Sequence, residues 1–220
     1  MKYKLAVFDM DGTILDTLED LTISTNYALE RAGLPARSIE EIRQFVGNGV
    51  RMLIKRAAAA AGDPDAAART EQIFDDFFAH YTAHCADHTK PYAGIPELLR
   101  RLKEEGCLLA VVSNKADPAV QDLCRVHFPG LFDCALGEKP GIAKKPAPDM
   151  VNAVLAQLHL GREDAVYIGD SEVDIQTAAN AGLDAVIVTW GFRDAPFLSE
   201  QGAKDPVDTP QEVYGRIMNL

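Results

Sequence analysis

Asp9 and Asp11 stand two residues apart at the end of an apolar run, and Gly12 and Thr13 follow at once. Further on, Ser113-Asn114-Lys115 closes a second apolar run, Lys145 precedes Pro146, and Gly169-Asp170-Ser171 with Asp174 closes a third. Carboxylates, hydroxyls and lysines in these places could hold a cation and an anion together. Four acids gathered in one crevice repel one another, and their pKa values rise unless a cation intervenes. A hard divalent ion with oxygen ligands resolves that conflict, and Mg²⁺ suits a site with few carboxylates, retained waters and a phosphate oxygen. The lysine and hydroxyl donors nearby then point to a phosphoryl group.

Each segment also has a plain structural reading. Asp11-Gly12 reads as an ordinary turn. Ser113-Asn114-Lys115 is good loop chemistry, and Ser171 with Asp174 three residues on matches a helix capping box. Lys145-Pro146-Ala147-Pro148-Asp149 could simply stop one element and start a helix. Their shared placement at strand ends favours chemistry over four separate local roles.

The elements that must position them follow from periodicity. Apolar runs of strand length cover residues 3–9, 107–113, 165–170 and 184–190, with a weaker run at 132–137. Helical apolar spacing covers 95–105, 118–126, 148–158 and 173–181. Alternation of the two predicts an α/β fold, a Rossmann-like doubly wound parallel sheet with helices on both faces. Ligands of such sheets collect beyond the carboxyl ends of the strands, where the acids and lysines above fall.

One interval breaks the rhythm. Residues 15–89 carry helix patterns at 17–32, 39–45, 50–61 and 64–84 and no convincing strand, punctuated by Gly33-Leu34-Pro35, Gly47-Asn48-Gly49 and Gly62-Asp63-Pro64. The sequence therefore predicts an inserted α-helical cap subdomain over 15–89, between the parts 1–14 and 90–220 of a catalytic core. Entering just after the first strand, it can fold over that strand's carboxyl end as a lid.

Composition sets the outer limits. The chain of 220 residues is long enough to bury a real core, and its 33 acidic against 22 basic residues give a net charge of −11. That balance argues against a nucleic-acid partner, which needs a basic face. No apolar segment is long enough to span a bilayer, so no membrane partner and a cytoplasmic location are expected. The expected partner is a small phosphorylated metabolite, with a homodimer left open. Cys85, Cys107, Cys124 and Cys134 are widely spaced and read as buried thiols. His80, His84, Cys85 and His88 fall at near-helical spacing without an obvious distant fourth ligand, and read as a solvated stripe.

With these residues in view, the sequence resembles the haloacid dehalogenase phosphatases. Phe8-Asp9-Met10-Asp11-Gly12-Thr13, Val112-Ser113-Asn114, Lys145-Pro146 and Ile168-Gly169-Asp170-Ser171-Glu172-Val173-Asp174 look like that family's four motifs in order, across essentially the whole chain. The resemblance implies Asp9 as a nucleophile forming an aspartyl-phosphate, Asp11 as general acid and base, and Lys145 as the catalytic lysine. Lys144 is adjacent, and Lys145 is chosen because the family lysine precedes the proline. Mg²⁺ would be held by the carboxylates of Asp9 and Asp170 and the backbone carbonyl of Asp11. Gly12, Thr13, Ser113 and Asn114 would line the phosphate site, and Ser171 and Asp174 would orient the metal ligands.

Shorter strings, Phe45-Val46-Gly47-Asn48-Gly49-Val50 and Val188-Thr189-Trp190-Gly191, look like phosphoglycolate phosphatases, which implies 2-phosphoglycolate as substrate. Lys145-Pro146-Ala147-Pro148-Asp149 is equally similar to β-phosphoglucomutases, whereas Gly12-Thr13 is closer to the phosphatases. A pyrophosphatase, a sugar-phosphate phosphatase or a mutase remains the alternative, and a binding module without catalysis has no need of a nucleophile. Glycines opening a helix expose N–H groups to an anion, so Arg51 beside Gly47-Asn48-Gly49-Val50 is a candidate for a substrate carboxylate. The same run could equally do no more than end a loop.

Overall fold

The computed structural model describes residues 1–219. The chain divides into two compact units, one made of Met1–Leu15 and Pro91–Leu220, the other of Asp16–Lys90. In chain order, β1 (Leu5–Phe8) and β2 (Leu15–Asp16) precede helices α1 (Leu18–Arg31), α2 (Ile39–Phe45), α3 (Val50–Ala60) and α4 (Ala66–His84), and β3 (Lys90–Pro91) follows. Next come α5 (Ile95–Glu104), β4 (Leu108–Ala116), α6 (Asp117–His127), β5 (Cys134–Glu138) and α7 (Asp149–Leu158). The chain ends with β6 (Ala165–Gly169), α8 (Glu172–Ala181), β7 (Asp184–Ile187), α9 (Ala195–Glu200) and α10 (Pro210–Met218).

The first unit is built on a five-stranded sheet in the order β5-β4-β1-β6-β7, every neighbouring pair parallel. All four residues of β1 are buried, as an apolar run covered on both faces should be. Leu5 and Val7 share a face with Ala110, Val112, Ala165 and Tyr167, and pack on Met150, Val151, Val154 and Leu155 of α7 and Ala178 and Ala181 of α8. The opposite parity, Ala6, Phe8, Leu109, Val111, Val166 and Ile168, is equally buried. On α5 the buried residues Ile95, Leu98, Leu99 and Leu102 recur at one-face helical spacing, and the helix packs on β4. Each fully buried Leu, Ile, Val or Phe contributes about 1.5–3 kcal/mol of transfer free energy. This is the Rossmann-like α/β architecture that the alternation of strand and helix leads one to expect.

The second unit is helical. Helix α4 packs on α1 and α3, and α2 on α1 and α3, around Leu21, Leu29, Ile42, Leu53, Ile54, Ile73 and Phe77. Polar clasps finish it: Asn26 exchanges two hydrogen bonds with the backbone of Arg37, and the buried Asp20 carboxylate receives the N–H groups of His88 and Thr89 and the Thr89 hydroxyl. Among the described residues no helix is long and apolar enough to cross a membrane. All four cysteines are free and buried, and burial pushes the Cys107 and Cys124 thiols up to about 11 and about 12, so both are poor nucleophiles.

Several boundaries differ from expectation. The strand read over 184–190 ends at Ile187; the Val188 N–H still donates to the Gly169 carbonyl at 2.9 Å, and Val188 bridges Val207 on its other side. The strand ending at 113 instead continues to Ala116 through an irregularity beyond Val112. Leu15–Asp16 and Lys90–Pro91 form a two-stranded sheet too short for periodicity to reveal. Helices α9 and α10 lie past the last apolar run, with Pro at the first turn of each and Asp194 and Thr209 as N-caps.

Candidate active site

β1 ends at the centre of the sheet, with Phe8 level with Val111 on one side and Ile168 on the other. The chain then runs one residue further: the Asp9 N–H donates to the Ile168 carbonyl at 2.8 Å. Asp9 continues the parity of Leu5 and Val7. Asn114 lies in the irregular stretch of β4 beyond Val112, so two middle strands deliver polar side chains at the same end of the sheet.

The loop after β1 turns on Gly12, whose φ of +87° suits glycine and whose N–H donates to the Leu15 carbonyl at 2.9 Å. A Cβ there would overlap the Asp170 carboxylate. Asp11-Gly12 is therefore a turn in fact, and that turn is also what lets Asp170 approach. Thr13 Oγ1 donates to Asp170 Oδ1 at 3.0 Å, and the Phe192 N–H donates to Asp170 Oδ2 at 2.8 Å. Trp190 Nε1 holds the Thr13 carbonyl at 3.0 Å.

Lys145 is the hub of the second half. Its backbone is gripped by Asn114, which accepts from the Lys145 N–H at 2.8 Å and donates to its carbonyl at 3.0 Å. The ammonium lies 2.8 Å from Asp9 Oδ1 and 2.8 Å from Asp174 Oδ1, and donates to the Tyr167 hydroxyl at 3.1 Å. Asp174 Oδ2 receives the N–H groups of Asp170 and Ser171 and, at 2.6 Å, the Ser171 hydroxyl. Asp174 thus caps the start of α8 and anchors Lys145 at once. Lys144 lies outside this network, 3.9 Å from Glu138.

Oxygens of Asp9, Asp170 and Asp174 come within 4.8 Å of one another. Burial first, and the Asp174 carboxylate next, raise Asp9 well above the ordinary carboxylate range, with Lys145 offsetting part of the rise. The same two causes push Asp170 up to about 7. Burial alone would lower Lys145, but Asp174 and Asp9 outweigh it and hold the ammonium well above its usual range. One lysine shared among three buried acids cannot neutralise them all. The deficit and the all-oxygen donor set fit a hard divalent cation, which prefers carboxylates.

Asp11 lies apart from the three-acid cluster, its Oδ1 2.7 Å from Lys115 Nζ. The Ser113 hydroxyl accepts the Lys115 N–H at 3.2 Å. The structure therefore brings Asp9, Thr13, Lys145, Asp170, Ser171 and Asp174 into one network, with Gly12 and Asn114 shaping it and Asp11 joined to Ser113 through Lys115. Arg51 belongs to the helical unit, where it pairs with Glu71 and lies 3.9 Å over the Phe74 ring.

Three residues have site contacts that the sequence reading does not assign, although Trp190 stands in the Val188-Thr189-Trp190-Gly191 string. Tyr167 sits inside an apolar strand and carries no motif signal, although its parity with Ala165 places it on the face of Asp9. Trp190 and Phe192 act through an indole N–H and a backbone N–H from a loop that only the fold returns to Thr13 and Asp170. Lys115 was visible at a strand end, but nothing in its spacing names its partner.

The pattern of the haloacid dehalogenase-like hydrolase family matches residues 6–188. A phosphoglycolate phosphatase of Rhodobacter capsulatus is 36% identical over 191 residues, covering 86% of each chain. One from Cereibacter sphaeroides is 35% identical, covering 96% of this chain and 98% of its own. A crystal structure of a provisionally named phosphoglycolate phosphatase from Lactobacillus delbrueckii subsp. bulgaricus superposes with a TM-score of 0.94 at 43% identity, covering 99% of both chains. Motifs, fold and relatives agree: the chain belongs to the haloacid dehalogenase-like hydrolases.

Proposed function

We propose that the protein is a Mg²⁺-dependent phosphatase of small phosphate monoesters, with 2-phosphoglycolate as substrate and Asp9 as nucleophile. The observation that carries this reading is the setting of Asp9, which ends the central strand against Lys145 and within reach of Asp170 and Asp174. The names of the relatives in Rhodobacter capsulatus and Cereibacter sphaeroides support 2-phosphoglycolate over pyrophosphate or a sugar phosphate.

In this mechanism an Asp9 carboxylate oxygen forms a bond to phosphorus as the bond to the ester oxygen breaks. Asp11 gives its proton to the departing alkoxide, and glycolate leaves. Water then attacks the aspartyl-phosphate, Asp11 takes a proton from it, and phosphate and free Asp9 are regenerated. Lys145, Ser113 and backbone N–H groups near Gly12 stabilise the charge spread over the transferring group, where positioning and electrostatics do most of the work. The carboxylates of Asp9 and Asp170 and the backbone carbonyl of Asp11 would hold Mg²⁺, which when bound supplies the charge neutralisation that brings two anions together. Ser171 and Asp174 orient Lys145 and Asp170. The helical unit is the proposed cap, with Arg51 as its reader of a substrate carboxylate, in exchange for Glu71.

Phosphate release tests the reading, measured with and without Mg²⁺ on 2-phosphoglycolate, several sugar phosphates, pyrophosphate and p-nitrophenyl phosphate. Mg²⁺-dependent turnover with the highest kcat/KM on 2-phosphoglycolate is expected. A preference for pyrophosphate or a sugar phosphate would retire the substrate, and full activity after exhaustive chelation would retire the metal.

A further inference from the structure

The two aspartates of the Asp9-x-Asp11 pair each have their own lysine. Lys145 lies 2.8 Å from Asp9, and Lys115 lies 2.7 Å from Asp11. The second pair is the less expected. Lys115 comes from β4 beyond Val112, where the register with β5 shifts, and its side chain is only 4% exposed. A lysine so enclosed loses most of its rotamer freedom and its water, a cost that a surface pair would avoid. The backbone is shaped to permit it. The Lys115 N–H is tied to the Ser113 hydroxyl, and β5 passes so close that a Cβ on Gly137 would overlap the Lys115 carbonyl and the Asp117 backbone. Asp117 Oδ1 accepts the Gly137 N–H at 2.8 Å and fixes that approach.

Asp11, by contrast, sits on a turn, and its side chain is 17% exposed. On such a loop a carboxylate turns freely about its side-chain torsions unless something holds it. Lys115 takes Oδ1, which leaves Oδ2 as the oxygen to face a reacting group. We propose that Lys115 is a positioning residue for Asp11, holding the carboxylate by Oδ1 so that Oδ2 is presented for proton transfer. The proposal rests on the reading of Asp11 as general acid and base. Misplacing a catalytic group by about 1 Å can cost about a hundredfold, so loss of the tether is expected to cost about ten- to a hundredfold in the step that needs the proton.

The test compares kcat/KM for an ester whose alkoxide must be protonated, 2-phosphoglycolate, with that for p-nitrophenyl phosphate, whose phenolate leaves without a proton. Lys115→Met should lower the first about ten- to a hundredfold and the second less than about threefold. Lys115→Arg should restore most of the loss, and Lys115→Met should add nothing in an Asp11→Asn background. Thermal melts check folding, and Lys115→Gln stands in if the methionine variant does not fold. Equal losses on the two esters, additivity with Asp11→Asn, or no loss would overturn the proposal. A leaving-group effect in Asp11→Asn without one in Lys115→Met would retire Lys115 alone. No leaving-group effect in Asp11→Asn would remove the acid–base reading, and this proposal with it.

Discussion

Asp170→Asn is expected to change how stability depends on pH and on Mg²⁺. Asp170 is 1% exposed, and burial together with the Asp174 carboxylate pushes its carboxyl from 3.8 up to about 7, although the Phe192 N–H and the Thr13 hydroxyl pull the other way. Because the folded value lies above the unfolded one, the folded chain keeps a proton that the unfolded chain has lost. This contribution is whole below about pH 4 and disappears as the pH rises through about 7. The slope is about 1.4 kcal/mol per pH unit within that window, so Asp170 alone accounts for roughly 4 kcal/mol at most. Asp9, raised by the same causes, acts in the same direction. His80 and His127, whose pKa values burial lowers, act in the opposite one, so the informative quantity is the difference between wild type and variant. Mg²⁺ at about a hundred times its Kd returns about 2.7 kcal/mol to the wild type. The assay is the urea midpoint between about pH 5 and 8, with and without Mg²⁺. Metal-free wild type should lose stability relative to Asp170→Asn as pH rises, and Mg²⁺ should rescue the wild type most strongly at the alkaline end. Parallel metal-free curves, or equal stabilisation of the variant by Mg²⁺, would refute the argument.

Other outcomes follow from the same site. Asp9→Asn should abolish turnover while the melting curve stays cooperative, and retention of more than a small fraction of activity would sink the covalent mechanism. Ca²⁺ should bind but inhibit, since its larger and more flexible coordination disturbs in-line transfer; full activity with Ca²⁺ in place of Mg²⁺ would count against the site. Arg51→Ala should cost under about 1 kcal/mol of stability, because its pair with Glu71 is exposed. It should also lower kcat/KM roughly ten- to a hundredfold on 2-phosphoglycolate and far less on p-nitrophenyl phosphate. Equal losses on the two esters would mean that Arg51 is structural or acts on the phosphate itself, and would retire its role as reader of the carboxylate.

What the sequence determined by itself is the local part. Residues 5–8 are uniformly apolar because a central parallel strand is buried on both faces, and that composition can be read without coordinates. The one-face spacing of Ile95, Leu98, Leu99 and Leu102 likewise reports a helix on a sheet. The acids at strand ends could be found because chain order carries them to the edge where such sheets gather ligands. Tertiary structure decided which groups meet. The 2.8 Å approach of Lys145 to both Asp9 and Asp174 depends on the lateral order of β4, β1 and β6, which no periodicity encodes. Tyr167 looks like any apolar strand residue until its neighbours are known, and the links from Trp190 to Thr13 and from Phe192 to Asp170 close over 177 and 22 residues of chain, separations that no local pattern announces. Lys115, which pairs with Asp11, lies beyond the register shift after Val112, a backbone event with no signature in residue type. Periodicity records which face a residue turns inward, because burial acts on each residue separately; contacts between distant residues arise only once strands have chosen their neighbours.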